Sequence, residues 1–434
     1  MAADRKNPRT DSTPNPLLPR RLLLIFSILS ALLVASMFHR VSNAVIAPNL
    51  TRDLGLDAES LGFLGGAYFY TFALLQIPLG PMLDRIGPRI VVTVLGLVGA
   101  FGSLLFAYSP SYPVALLGRV LIGAGMGCVL MGSLKVFVVR FPPELFATLM
   151  GSIVSIGTLG NVLAASPLAY LTSLIGWRKT FFLAGLVTAA LALLVYWVLG
   201  KGGEGGQPSP SAPAELPIPV LSSIRRILRS LSFWEMGAVS FFRYGTFISL
   251  SGLWLGPYLM DARNYSPIQA GNLLMVLALG YILGGPVAGR LSDRSFYSGK
   301  AVALAGMALY SVTLIPLIGI VTVESPFAFG LLFFGMGFFN SFGVIVLSHG
   351  KGLYPAAMSG TVMTGINFFT MAGGAVLMPV LGRVIKSFPP AGSSYPVEAY
   401  RLCFLICFLG MVVSLVLYGL SERDAPKKGE KADG

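Results

Sequence analysis

The sequence predicts an all-α integral membrane protein with twelve transmembrane helices. Hydrophobic residues make up 55% of the 434 residues and charged residues only 11%, whereas a soluble domain carries about 25% charged residues. The mean hydropathy is +0.77. The apolar residues form long runs without strict alternation, with Gly and Pro scattered inside them. Such runs are typical of membrane helices and not of barrel strands.

Twelve apolar runs reach the roughly 20 residues that a helix needs to cross a bilayer. In chain order, we predict the spans at residues 22–46, 60–82, 90–108, 113–138, 148–174, 180–199, 233–258, 269–288, 301–320, 326–348, 359–384 and 400–420. Because the number of spans is even, both termini are expected on the same side of the membrane.

The basic residues indicate which side that is. The net charge is +13, and Lys and Arg gather at one end of the predicted helices. They are Arg5, Lys6, Arg9, Arg20, Arg21, Arg85, Arg89, Arg225, Arg226, Arg229, Lys427, Lys428 and Lys431. This positive-inside pattern predicts cytoplasmic termini, in a bacterial inner (plasma) membrane, and accounts for the charge without nucleic acid. The first apolar run is too long for a signal peptide, which predicts an uncleaved N-terminal tail.

A low-complexity stretch divides the chain into halves. Residues 200–217 read "GKGGEGGQPSPSAPAELP", a composition that cannot build a packed core. The basic, amphipathic "SSIRRILRS" that follows predicts a segment along the inner membrane surface. We therefore predict five regions, which are a cytoplasmic tail at 1–21, a six-helix bundle at 22–199, a cytoplasmic linker at 200–230, a second six-helix bundle at 231–421 and a cytoplasmic tail at 422–434.

Two arginines inside apolar spans are the main functional signal. Arg40 lies deep in the first predicted helix, and Arg243 lies deep in the seventh, 203 residues later. Each costs about 2.5–3.5 kcal/mol at mid-membrane, and the sequence places no carboxylate at that depth to pair with them. A water-filled cavity, backbone carbonyls or an anionic substrate lowers this cost, because guanidinium binds carboxylate and phosphate bidentately. For either arginine alone, snorkelling to the interface is the alternative.

A loop motif occurs once in each half. "GPMLDR" at 80–85 and "GRLSDR" at 289–294 are 209 residues apart. Together with "GPMLDRIGPR", "LLGRVLIGAGMG" at 116–127 and "GWRKTFFLAG" at 176–185, they make residues 20–420 resemble the major facilitator superfamily. The resemblance implies the major facilitator fold, in which two pseudo-symmetric six-helix bundles rock around a central cavity.

The repeated loops also predict a conformational switch. A small residue at Gly80 or Gly289 lets helices approach closely, and an Asp beside basic residues can hold a charge network between the bundles in one state only. The predicted switch residues are Gly80, Asp84, Arg85, Gly87, Arg89, Arg119, Gly289, Asp293 and Arg294. Capping and solvation of helix ends, or for Arg119 bonds to neighbouring carbonyls, are the alternatives.

A second resemblance concerns the two arginines. "HRVSNAVIAPNL" and "FFRYGTFISLSGLWLGPYL" are similar to helices 1 and 7 of the organophosphate:phosphate antiporter family, where two arginines hold the substrate phosphate from opposite bundles. That resemblance implies the same role for Arg40 and Arg243. The chain departs from the glycerol-3-phosphate branch, because Gly157 stands near the place of a helix 5 His and Gln76 near that of a helix 2 Lys. A carboxylate is therefore as much expected as a phosphate ester.

Further polar residues are candidates for the same cavity, although an interhelical hydrogen bond explains any one of them. With the two arginines, the predicted substrate-binding residues are Tyr70, Gln76, Lys135, Asn161, Tyr244, Asn340 and Asn367. Lys135 adds a positive charge toward the inner end of the fourth helix, where snorkelling is the alternative.

These observations predict a monomeric secondary transporter that moves a small organic anion by alternating access. It exchanges the anion for a counter-substrate or moves it with protons that other groups carry. His39 could titrate near neutral pH, but the neighbouring Arg40 opposes its protonation. No cofactor or metal site is predicted. One alternative is a proton-coupled drug or metabolite antiporter, although the fifth helix lacks the Gly-Pro pair of that group. A non-transporting sensor on the same fold is another. An enzyme is not predicted, because no nucleophile–base set or phosphate loop is present.

Overall fold

The computed structural model describes residues 17–142, 145–200, 227–293, 299–321, 325–346, 349, 353–354, 356–390 and 394–420. The predicted N-terminal tail up to residue 16, residues 201–226 of the predicted linker and the C-terminal tail from residue 421 lie outside these ranges. The division of the chain into five regions therefore stays a prediction at its ends and in its linker.

Twelve helical segments follow one another in the described part of the chain. They are α1 (Leu17–Val41 and Asn43–Leu54), α2 (Ala58–Arg85), α3 (Pro88–Ala107), α4 (Tyr112–Met126 and Val129–Arg140), α5 (Phe146–Leu163 and Ser166–Ile175), α6 (Trp177–Leu199), α7 (Leu231–Ser249 continuing to Ala262), α8 (Pro267–Asp293), α9 (Gly299–Ile318), α10 (Pro326–Asn340 continuing to Val344), α11 (Ala356–Lys386) and α12 (Val397–Leu420).

The all-α membrane fold is confirmed. Ten of the described helices are each long and apolar enough to cross a membrane, and α5 is an eleventh span bent by 43°. Helix α7 is not among these spans, and two π-helical stretches at Leu250–Trp254 and Tyr258–Ala262 divide it. The observed helices agree with the predicted spans, except that α1, α4 and α5 are each broken into two pieces.

The break in α1 follows directly after Arg40. The first piece ends at Val41, and the second piece contains Pro48. Because proline has no N–H, Pro48 leaves the carbonyl of Ala44 without its partner in the helix. That carbonyl lies against Gly256 of α7, where a Cβ atom would overlap it. Proline in α1 and glycine in α7 thus allow two backbones to meet.

The two halves of the chain contact each other mainly along three helix pairs. We call the end of the bundle where α1 begins and α12 ends the terminal face, and the other end the opposite face. Gly256 packs on α1, Gly62 of α2 packs on α11 (a Cβ there would lie 2.7 Å from the Met378 carbonyl oxygen), and Gly271 of α8 packs on α5. All three contacts lie in the part of each helix nearer the opposite face. The halves are therefore closed against each other on that side.

Ion pairs also join the halves at the opposite face. The Nζ of Lys386 at the end of α11 lies 2.9 Å from Oε2 of Glu59 and 2.8 Å from Oδ2 of Asp57, both at the start of α2. The Nε of Arg383 lies 2.7 Å from Oε1 of Glu59. This cluster, which we call the α2–α11 ion cluster, stabilises the closed opposite face. It was not among the predicted switch residues.

Replacing Glu59 by glutamine should loosen this closure. The change removes the carboxylate that Arg383 and Lys386 share, and we expect the separation of the halves at the opposite face to shift to longer distances. Double electron–electron resonance between spin labels at Arg52 and Ser387 measures this separation. High salt should also lengthen the distance, because it screens these exposed charges. Glu398→Gln, an exposed carboxylate at the same face, is the control. Unchanged distances for Glu59→Gln would show that the cluster has no such role.

Candidate functional site

A cavity of about 190 Å³ lies between the two halves. It is lined by α1 and α5 from the first half and by α7, α8, α10 and α11 from the second half. On α5 the lining extends from Ala165 to Val154, and so runs from the middle of the helix toward the terminal face. Because the helix pairs described above close the opposite face, the cavity faces the terminal side.

Arg40 enters the cavity from α1 and is 9% exposed. Its Nη1 donates a 2.9 Å hydrogen bond to the hydroxyl of Tyr244, which belongs to α7 in the other half. Its guanidinium carbon also lies 5.1 Å from the ring centroid of Phe72, within the range of a cation–π contact. A neutral hydroxyl and a ring thus hold Arg40, and its charge is not neutralised by them.

Arg243 enters the same cavity from α7 and is 4% exposed. Its Nη1 lies 3.3 Å from the main-chain oxygen of Asn340 and 3.4 Å from the side-chain oxygen. The Asn340 amide donates in return to the main-chain oxygen of Arg243 at 3.4 Å. Gly343 on the same helix leaves room for the arginine, because a Cβ there would overlap Cδ of Arg243. Helix α10 therefore holds the Arg243 side chain in place.

The site carries two positive charges without a described negative partner. None of the described residues that line the cavity is Asp or Glu. The Nε of each arginine is enclosed and makes no hydrogen bond within the described part of the chain. Buried charges are normally paired or bind ions. The cavity thus has the electrostatics of an anion site.

The structure brings five of the nine predicted substrate-binding residues to this cavity. Those that line it are Arg40, Asn161, Arg243, Tyr244 and Asn367. Asn340 does not line it, because it lies fully buried behind Arg243. Its effect on a ligand would act through the arginine that it holds.

The other three predicted residues do not line this cavity, and a substrate-binding role for them stays a prediction. Gln76 is engaged between helices, because its Nε2 donates to the carbonyl of Gly127 at the break of α4 at 3.0 Å. Tyr70 is 40% exposed on α2 and does not line the cavity. Lys135 is partly buried in the second piece of α4 and is likewise not in the lining.

Several lining residues were not predicted from the sequence. They include Thr158 of α5, Phe247 of α7, Tyr281 of α8 and Thr370 of α11. Their residue types are common in every apolar helix, so no sequence signal separates them from the rest. Gly157 on α5 stands near the place of a helix 5 His in the similar antiporter family, but a Cβ there would lie 2.7 Å from Leu33 of α1. Gly157 is thus a packing position, and the absence of a histidine there leaves the cavity unchanged.

Arg119 and His39 form a separate polar group inside the first half. Arg119 is fully buried, and its Nη1 donates a 2.9 Å hydrogen bond to the main-chain oxygen of His39. The His39 ring is also fully buried and lies 3.4 Å from the hydroxyl of Thr188. Arg119 therefore ties α4 to α1 one residue before Arg40, and its side chain contacts neither the other half nor a loop motif. This contact gives Arg119 a positioning role in the present state, and its predicted switch role stays a prediction.

Replacing Arg119 by glutamine should distinguish the effect of its hydrogen bond on anion affinity from the effect of its charge. Glutamine keeps a donor for the His39 carbonyl, so we expect anion affinity to stay within about threefold of the parent if Arg119 only positions α1. Leucine at the same place removes the donor and should lower affinity about tenfold, the usual worth of one hydrogen bond to a charged group. The binding constants of both variants check this. A loss with glutamine as large as with leucine would show that the charge itself is required.

The two glycines of the loop motif make no close contact with the described part of the chain in this conformation. No described atom lies within 4 Å of a Cβ built at Gly80 or Gly289, so the predicted close helix approach is wrong for this state. The ends of the halves are apart at the terminal face, which is the physical reason. Gly87 instead serves a turn, because its φ of +91° is unfavourable for other residues.

Arg89 is held within its own half. Its guanidinium carbon lies 3.9 Å from the ring centroid of Tyr196 of α6, and its Nε donates to the Tyr196 carbonyl at 3.0 Å. Arg85 is exposed at the end of α2. The side chains of Asp84 and Asp293, and Arg294 as a whole, lie outside the described residues. The charge network that these residues were expected to form between the halves therefore stays a prediction.

Known proteins similar to the chain are membrane transporters. The family model described as Major Facilitator Superfamily matches residues 28–378 and 237–434. The probable sulfoacetate transporter SauU of Cupriavidus necator is 24% identical over 320 residues, which is 70% of this chain and 72% of that protein. The probable L-galactonate transporter of Escherichia coli is 27% identical over 300 residues, 64% of this chain and 62% of that protein.

The fold is also similar to solved structures. A bacterial homologue of the human lysosomal transporter Spinster, in an inward-facing and unoccupied conformation, superposes with a TM-score of 0.72. The superposition covers 94% of this chain and 97% of that one, at 17% sequence identity. At this identity the similarity shows the fold, and the fold is the one that the helix pattern predicts.

Proposed function

The chain belongs to the Major Facilitator Superfamily, so it is a membrane transporter and not an enzyme, and on this premise we propose that it carries a small organic anion by alternating access. The substrate, a carboxylate or phosphate ester, would bind between Arg40 and Arg243. One observation carries the proposal, namely that each half contributes a buried arginine to one cavity whose described lining holds no carboxylate. The names of SauU and the L-galactonate transporter, both for organic anions, support the substrate class.

The geometry suggests how binding couples to movement. In the present state Arg40 spans the halves by its bond to Tyr244, while Arg243 stays within its own half on Asn340. An anion between the two guanidinium groups would attract both halves to itself. Because it neutralises two charges that are costly inside a membrane, the loaded carrier can close around it and reopen on the other side. Exchange of one anion for another follows, since an empty site leaves both charges uncompensated.

Two further parts of the proposal concern orientation and the membrane. We place the terminal face in the cytoplasm of a bacterial inner membrane, as the basic residues predict, so that the cavity faces inward here. The proposed carrier acts as a monomer in the bilayer, with a counter-anion or protons as its second cargo. His39 is not a strong candidate for the proton step, because it lies outside the cavity and is enclosed.

A thermal-shift screen of the purified protein tests the substrate class. We expect small organic anions to raise the melting temperature, and cations and neutral sugars to leave it unchanged. Arg40→Ala and Arg243→Ala proteins should lose the shift. Stabilisation by lipophilic cations without any response to anions would favour a drug/proton antiporter and overturn the proposal.

A further inference from the structure

The walls of the cavity are mostly apolar. Apart from the two arginines, most of the lining is aliphatic or aromatic, with Leu274, Leu277 and Ala278 on α8 and Val344 on α10. The volume of about 190 Å³ is below the roughly 300–1,000 Å³ of pockets for drug-sized ligands. A ligand with a single ring or a short chain is therefore the size that fits.

The three aliphatic hydroxyl groups in the described lining are already used as donors. Thr158 Oγ1 donates to the Val154 carbonyl at 2.8 Å, Ser251 Oγ to the Phe247 carbonyl at 2.7 Å, and Thr370 Oγ1 to the Ile366 carbonyl at 2.9 Å. A hydroxyl has one hydrogen to donate, so each of these can only accept from a ligand. Apart from the arginines and the hydroxyls of Tyr244 and Tyr281, only the amides of Asn161 and Asn367 remain among the described lining residues as side-chain groups able to donate. A polyhydroxylated acid would therefore find few donors for its hydroxyl oxygens and would place several hydroxyls against apolar walls.

Aromatic rings lie beside the arginines on the same wall. Phe247 follows Arg243 by four residues on α7, so both project from one face of the helix. Its ring stacks on Tyr281 of α8, with centroids 5.2 Å apart and planes at 26°. The ring of Tyr244 lies 5.8 Å from the guanidinium carbon of Arg243. A planar ligand bound to the guanidinium groups through its charge would thus lie against ring faces.

We propose that the cavity is selective for a small monoanion with a flat apolar body, namely a one-ring aromatic carboxylate, over polyhydroxylated acids. The inference rests on the proposed function and narrows its substrate class. The carboxylate binds between Arg40 and Arg243, and the ring packs on the Phe247–Tyr281 pair. A sugar acid is disfavoured because each hydroxyl left without a partner lowers affinity about tenfold.

Direct binding by the purified full chain tests the selectivity. The probes are benzoate, cyclohexanecarboxylate, gluconate, benzamide and phenyltrimethylammonium, with dissociation constants from calorimetry. We expect benzoate to bind at least about tenfold more tightly than gluconate and more tightly than cyclohexanecarboxylate, with no binding of benzamide or the cation. Gluconate binding as tightly as benzoate would overturn the inference and leave the anion site standing. Binding of the cation but no anion would overturn both.

Variants of the ring pair give a second readout. Phe247→Leu keeps an apolar side chain but removes a ring face, and we expect benzoate affinity to fall about three- to tenfold with gluconate affinity unchanged. Phe241→Leu, on the same helix but outside the cavity lining, is the matched control. If Phe247→Leu fails to fold, Tyr281→Leu makes the same test. A variant that binds benzoate as the parent does, or that loses both anions equally, would contradict the role of the rings.

Discussion

Replacing Arg243 by alanine should lower anion affinity about 100-fold or more and abolish measurable transport. The expected loss is this large because a charge-assisted hydrogen bond contributes about 1.5–3 kcal/mol, and the other arginine is then left to hold the anion alone. Arg40→Ala should have at least the same effect, because it also removes the bond to Tyr244 between the halves. Uptake into liposomes and equilibrium binding measure the two losses.

The lysine variants separate charge from geometry. Lysine keeps one positive charge but not the planar fork that binds a carboxylate through two N–H groups. We therefore expect Arg243→Lys to recover part of the loss and to remain about tenfold weaker than the parent. Neither Arg243→Ala nor Arg243→Lys should unfold the protein, because a buried charge without a described carboxylate partner does not add to stability.

A control cation shows whether the effect is local. Lys179 is exposed at the start of α6, outside the cavity lining, and Lys179→Ala should bind and transport as the parent does. If Arg243→Ala transports a confirmed anion at the parent's rate while melting at the parent's temperature, the arginine does not contact the substrate.

Adding a side chain at Gly256 should prevent the opposite face from closing. A Cβ there would overlap the carbonyl oxygen of Ala44, which is backbone and has no rotamer to move away. We expect Gly256→Val to hold the halves apart on that side and to lower the transport rate more than tenfold. Anion binding from the opposite side should persist, because the arginines are untouched. This combination differs from the arginine variants, which lose binding itself.

Cysteine accessibility measures the conformational effect. A single reactive cysteine introduced at Thr51, on the second piece of α1, reports access at the opposite face. The three native cysteines are buried. We expect faster labelling at Thr51→Cys in the Gly256→Val background. Gly330→Ala is the matched control, since no described atom lies within 4 Å of a Cβ at Gly330. Parent-like labelling and transport by Gly256→Val would show that α1 and α7 do not need this contact.

The sequence predicted the helices well because hydropathy reports directly on the length of a membrane span. It also pointed to Arg40 and Arg243, since charges inside apolar spans are rare, and the structure places both in one cavity. The contacts of Arg243 with Asn340 and Gly343 were not predictable, because they depend on how α10 packs on α7. Gln76 was assigned to the cavity because it stands near the place of a helix 2 Lys in the similar family, whereas its amide donates to a carbonyl at the break in α4.

The two switch regions illustrate the same limit. The repeated loop motif is visible in the sequence, but its contacts depend on which face is open, and here the terminal face is open. The α2–α11 ion cluster is invisible in the sequence, because Glu59 and Lys386 are 327 residues apart and resemble ordinary solvated charges. A sequence pattern within one half can identify candidate switch residues. Contacts between the two halves can be recognised only in the packed structure.

Counterflow in liposomes tests the central claim most directly. The purified protein is reconstituted, the vesicles are loaded with unlabelled benzoate, and labelled benzoate is added outside in trace amount. We predict transient accumulation of label in vesicles with the parent protein, and none with Arg40→Ala or Arg243→Ala. The claim would be contradicted if those variants accumulate benzoate as the parent does, or if the parent exchanges lipophilic cations and no organic anion.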